Sequence, residues 1–152
     1  MLHPAPTTKI DPTLARGTVI EVLGADGLHP DRVVMGFPNT DYKIQLVIEG
    51  DASGLRDLVG EMVLGRIYAK ARRLDTPEAG GRRFDPCIGP PARLLGTVVA
   101  IDPVADLVVL NAGQPVVLSL GSPSQHANEF VDAEFVVCDV MPGASFRFER
   151  SA

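Results

Sequence analysis

The chain has 152 residues, with 14 Lys and Arg against 19 Asp and Glu, a formal net charge of -5. Hydrophobic residues make up 45%, which excludes an intrinsically disordered chain, and the acidic balance argues against wholesale binding to phosphate backbones. No apolar run approaches the roughly 18 residues that cross a bilayer as a helix, so no membrane partner is expected.

Aromatic residues are only 5% and Trp is absent, so the core must rest on aliphatic side chains. Valine pairs recur at Val98-Val99, Val108-Val109, Val116-Val117 and Val136-Val137, among 15 Gly and 13 Pro. β-branched runs between frequent Gly and Pro favour strands and turns over long helices.

Residues 1–15 carry three prolines and no periodicity, and read as a loose N-terminal arm. Strands are expected near 17–23, 32–36, 42–48 and 61–68, with a short one over 70–74. Tyr42 to Ile48 alternates for much of its length, as a half-buried strand should. Leu55, Leu58 and Val59 fall at helical spacing and predict one or two turns of helix before the fourth strand. Residues 75–92 hold four Pro and three Gly and read as a connector. Beyond it, strands are expected near 94–101, 106–111, 115–120, 133–140 and 145–149. Ser122-Pro123-Ser124-Gln125 has the pattern of a helix capping box, with Ala127 and Phe130 on the apolar side.

The two halves look alike. Gly17-Thr18-Val19-Ile20 is matched by Gly96-Thr97-Val98-Val99, and Glu61-Met62-Val63-Leu64 by Glu134-Phe135-Val136-Val137. Each half reads strand-strand-strand-helix-strand-strand. That order resembles the OB-fold, a five-stranded partly open barrel with a helix between its third and fourth strands. An SH3-like barrel or one fused barrel of about ten strands fits the pattern nearly as well. The expected fold class is all-β: two small OB-like or SH3-like β-barrel units in tandem, packed together, over 16–74 and 93–152. Runs such as Val33-Val34-Met35 and Val116-Val117-Leu118 predict burial on both strand faces, beneath the other unit or a second copy.

Charge is unevenly spread. Residues 66–93 hold seven basic and three acidic side chains, between acidic flanks. Arg66, Lys70, Arg72, Arg73, Arg82 and Arg83 are therefore the candidate nucleic-acid or anion-binding residues, since Arg suits bidentate contact with phosphate or carboxylate. The balancing reading is a solvated edge that discourages strand pairing. Aromatic stacking on an OB-type face would need more than Tyr42 and Phe37, which the first three strands and adjoining loop of the first half offer. Phe130 and Phe135 read as core.

Cys138, in a Val-rich strand, reads as a buried thiol, and Cys87 as a connector thiol that nothing activates. His3, His29 and His126 show no metal-ligand spacing with either. No catalytic motif, cofactor or metal is expected. Reduced cysteines and the lack of a leader pattern favour the cytoplasm. The expected function is a non-catalytic binding or assembly module acting through protein contact, with a partner or with itself. The alternative is an OB-type nucleic-acid-binding protein using the 66–93 stretch.

Overall fold

In a computed structural model, which describes residues 11–152, the chain is all-β with a mixed sheet. The expected arm lies mostly outside the described residues. Its last residue, Ala15, already belongs to β1 (Ala15–Leu23).

β1, β2 (Arg32–Gly36) and β3 (Lys43–Ile48) form an antiparallel meander. A single helical turn, α1 (Ser53–Arg56), follows. It buries Leu55 and partly buries Leu58, whereas Val59 is 51% exposed and leaves the expected apolar stripe.

β4 (Met62–Asp75) runs for 14 residues and merges the two strands expected over 61–68 and 70–74. The reason lies in its pattern. Val63, Gly65, Ile67, Ala69 and Ala71 all point inward without a break, and no turn residue interrupts them.

The connector is more structured than its composition implies. β5 (Arg83–Asp85) pairs with β7 (Arg93–Asp102), and β6 (Ile88–Gly89) pairs in parallel with β3. Phe84 explains this. It is 1% exposed and packs on Phe37 and Tyr42 at ring-centroid distances of 5.2 and 5.8 Å. A buried Phe of this size draws the flanking backbone into the sheet.

β7, β8 (Leu107–Asn111) and β9 (Pro115–Leu120) form a second antiparallel meander. The expected capping box at Ser122 does not form. Ser122 Oγ instead faces Ser124 Oγ, and the turn of helix is a 3₁₀ turn at Ala127–Glu129, where the Glu129 carboxylate accepts the His126 N–H at 2.9 Å. The Gln125 side chain is instead engaged with the Leu74 backbone of β4, so it does not cap a helix at Ser122. β10 (Phe135–Val140) and β11 (Ser145–Ser151) complete the chain.

The pairings make two circuits that share β4. In the first, β1 pairs with β2, β2 with β3, β3 with β11, β11 with β4, and β4 returns to β1. In the second, β7 pairs with β8, β8 with β9, β9 with the latter part of β4, that part with β10, and β10 returns to β7. The fifth strand of each circuit therefore comes from the far side of the connector. In both circuits the third and fifth strands are parallel.

Registers correspond as well. Gly17 faces Val63 and Gly96 faces Val136. Val19 N donates to Glu61 O at 3.0 Å and Val98 N donates to Glu134 O at 2.9 Å. A bulge follows Val19 in β1 and Val98 in β7.

One continuous core runs through both circuits, with Phe84 and Phe146 as its largest fully buried side chains. Phe130 joins it, but Phe135 is 43% exposed, because it sits on the outward side of β10. Val116, Val117 and Leu118 are all buried within the single chain. Val117 faces outward, yet it lies between Val109 and Tyr68 of the neighbouring strands, so no second copy is needed to cover it. Val33 and Met35 are buried while Val34 is only half-buried, so the first run alternates after all.

Candidate functional site

Part of the basic stretch is engaged in ion pairs. Arg66 is committed within the first circuit. Its guanidinium meets Asp11 Oδ2 and Glu149 Oε2, both at 2.8 Å, and its Nε donates to Thr13 Oγ1 at 2.9 Å. It ties the residues before β1 to the end of β11. The Thr13 hydroxyl and backbone N–H hold the Asp11 carboxyl below its ordinary range, and Arg66 adds to the effect.

Arg73 pairs with Asp75 at 3.2 Å and Arg83 with Asp85 at 3.0 Å. Arg93, outside the predicted set, faces Asp139 at 3.8 Å. Charges of both signs thus alternate where the end of β4 meets β5, β7 and β10. Lys70, Arg72 and Arg82 are exposed and, among the described residues, have no carboxylate within 4.0 Å. The six predicted residues are therefore divided: three hold carboxylates and three have none nearby, and while Arg72 and Arg73 line one shallow pocket with Arg93, Asp75 and Asp139, Arg83 lines another.

The two thiols sit in different surroundings. Cys138 is 3% exposed in β10, and burial together with the Asp139 charge pushes its pKa up to about 12. Its thiolate is therefore inaccessible at neutral pH. Cys87 is exposed beside β6. Among the described residues no group of three or more His, Cys, Asp or Glu has metal-binding geometry. No helix among them is long and apolar enough to cross a membrane.

Two features escaped the sequence. The first is a pair of Asp-held turns, one in each connection between first and second strands. Between β1 and β2, Asp26 Oδ1 accepts the backbone N–H groups of Leu28 and His29, at 2.7 and 2.8 Å. Between β7 and β8, Asp102 Oδ1 accepts those of Val104 and Ala105, both at 3.0 Å. Each carboxylate rigidifies its turn. Each turn carries an aliphatic residue outward, Leu28 at 89% and Val104 at 97% exposure. The Asp-x-aliphatic spacing was present in both halves as the only signal.

The second is a cleft of about 480 Å³ in the first circuit, over β2 and β3. Four prolines (Pro30, Pro90, Pro91 and Pro142) shape it, and Arg32 and Gln45 are its polar residues on the strands. It opens where the first circuit is least tightly closed. β11 pairs with β3 over only two residue pairs, whereas the equivalent pairing of β4 with β9 has five.

No protein-family model, curated protein or solved structure matches the chain.

Proposed function

We propose that the chain is a non-catalytic binding module built from two OB-like β-barrel units in tandem, one over 16–74 and one over 93–152, and that it docks a protein partner through the Asp-held turns. The tandem reading is supported by the corresponding registers of the two circuits and by the order first-second-third-fifth-fourth strand in each. The units exchange their fifth strands, so neither is complete alone.

The observation that carries the function is the pair of Asp-held turns. Single exposed aliphatics are ordinary on protein surfaces. Two in the connection between the first and second strands of each unit, each on a turn whose backbone is fixed by a carboxylate, act as preorganised apolar anchors. Docking them costs little conformational entropy.

A photo-crosslinking residue placed at 28 or at 104 tests this in cells. Discrete protein adducts common to both positions, and absent when the same residue replaces exposed Asp57, are expected. Val104→Asp should weaken the adduct formed from position 28. Absence of adducts at 28 and 104, or the same pattern at 57, would overturn the reading.

A second reading, nucleic-acid binding, is favoured by the free side chains of Lys70, Arg72 and Arg82. If it holds, Arg72→Ala with Arg73→Ala weakens binding to all sequences alike and flattens its salt dependence.

A further inference from the structure

Arg32 is a cation removed from water without good partners. Its side chain is only 16% exposed. Its Nε is buried and has no hydrogen-bond partner. The remaining contacts are long: Nη2 lies 3.7 Å from Asp26 Oδ2 and Nη1 lies 3.5 Å from Gln45 Oε1. Asp26 is 54% exposed, and its other oxygen already serves the Leu28 and His29 N–H groups. The carboxylate holds the turn more firmly than it holds Arg32.

A guanidinium in this state is costly, because desolvation has been incurred while few of its five donors are used. The cost falls when an anion with matching geometry arrives, since a carboxylate accepts two parallel N–H bonds from one guanidinium. The surroundings narrow the anion further. Arg32 is the one permanent cation of the cleft, and the other walls are mainly proline rings and aliphatic side chains. A phosphate dianion would want several donors and would face apolar carbon instead. A single negative charge on an apolar body satisfies both parts. The volume, about 480 Å³, falls in the range of small-molecule sites.

We propose that this cleft is a binding site for a small apolar monocarboxylate, with Arg32 as the group that takes the carboxylate. The apolar body lies against the proline rings, which lose no side-chain entropy on contact. Gln45 orients the guanidinium from β3 and offers an amide donor to the same ligand. The cleft borders the first Asp-held turn, since His29 lines it and Asp26 faces Arg32, but it recognises a different ligand, so hexanoate binding and crosslinking from position 28 are read separately.

The test is a titration followed by two-dimensional NMR of backbone amides and arginine Nε–H groups, with sodium hexanoate as probe. Hexan-1-ol and hexylammonium serve as neutral and cationic probes of the same shape. For a ligand of this size a dissociation constant of about 1 mM is expected. Hexanoate should shift the Arg32 Nε–H and the amides of Gln45, Gly143 and Ala144 saturably, and the other two probes should not. Arg32→Met keeps the length of the side chain and should weaken hexanoate binding at least about tenfold, which is 1.4 kcal/mol. If that variant loses its native spectrum, Arg32→Lys decides. It keeps the charge without the planar fork and should bind several times more weakly. The proposal is overturned by no response to hexanoate up to about 10 mM. It is equally overturned by an equal response to hexan-1-ol, by shifts confined to another face, or by undiminished binding in Arg32→Lys.

Discussion

The two circuits are built to one plan and closed to different degrees. In the second, β4 runs beside β9 for five residue pairs, from Ile67 opposite Val116 to Ala71 opposite Leu120. Beyond them the Gln125 side chain takes over as a partner. Its Oε1 accepts Leu74 N–H at 2.9 Å and its Nε2 donates to Leu74 O at 2.7 Å. The first circuit has two such residue pairs, Ser145 with Val47 and Phe146 with Ile48. The Pro-lined cleft opens on this looser side. A similar arrangement of strands therefore closes both circuits around buried cores, and the cleft lies outside the core, on the outward face of β2 and β3 that carries Arg32 and Gln45. What differs is the length of one parallel pairing and one buried amide side chain.

That contrast can be broken first at glycine. A Cβ on Gly96 would strike the Asn111 carbonyl and its carbon at 2.7 Å, and backbone there cannot give way. The corresponding Gly17 would meet Met35 Cε at 2.7 Å, the far end of a flexible side chain. Gly96→Ala should cost about 3 kcal/mol and Gly17→Ala about 1 kcal/mol in urea unfolding. Equal costs would show that the second circuit yields as easily as the first.

Removing the amide clasp comes next. Gln125→Leu leaves the Leu74 N–H and C=O buried without partners, and should destabilise by about 2 kcal/mol. Hydrogen exchange should quicken from Ala69 to Leu74 while β1 to β3 change little. Uniform acceleration over both circuits would contradict a local role.

An alkaline pH effect should arise in the second circuit. The Cys138 thiol has its pKa raised from 9.0 to about 12, so its neutral form is the folded one. The stability this contributes is complete below pH 9.0 and fades as pH rises toward 12. Cys138→Ala should flatten the loss of stability between pH about 9 and about 12. Thiol titration of the native protein should show Cys87 reacting quickly and Cys138 only on unfolding.

The smallest effect is expected at the surface. Arg73 and Asp75 are both more than half exposed, so Arg73→Ala should leave the unfolding midpoint unchanged.

The sequence carried the strands well, because β-branched alternation and Gly/Pro punctuation are local signals. The expected 32–36 and 115–120 coincide with β2 and β9. It carried the partners of those strands less well, since pairing is decided over long separations. Nothing local says that residues 67–71 lie beside β9, or that β11 closes on β3. Phe84 was hidden by its neighbours, being one large apolar residue inside a Pro/Gly-rich segment. The spacing of Gln125 from Ser122 fits a cap, whereas its burial against Leu74 is a tertiary fact. Arg32 had no signal, because an under-paired cation is defined by its surroundings rather than by its sequence.

The exchange of fifth strands is the central structural claim, and inter-strand nuclear Overhauser contacts test it directly. Backbone contacts are expected between Tyr68–Lys70 and Val117–Ser119, together with contacts between Phe146 and Ile48. Contacts of Tyr68–Lys70 with β3, and of β11 with β9, would mean that each half closes on its own strand, and would contradict it.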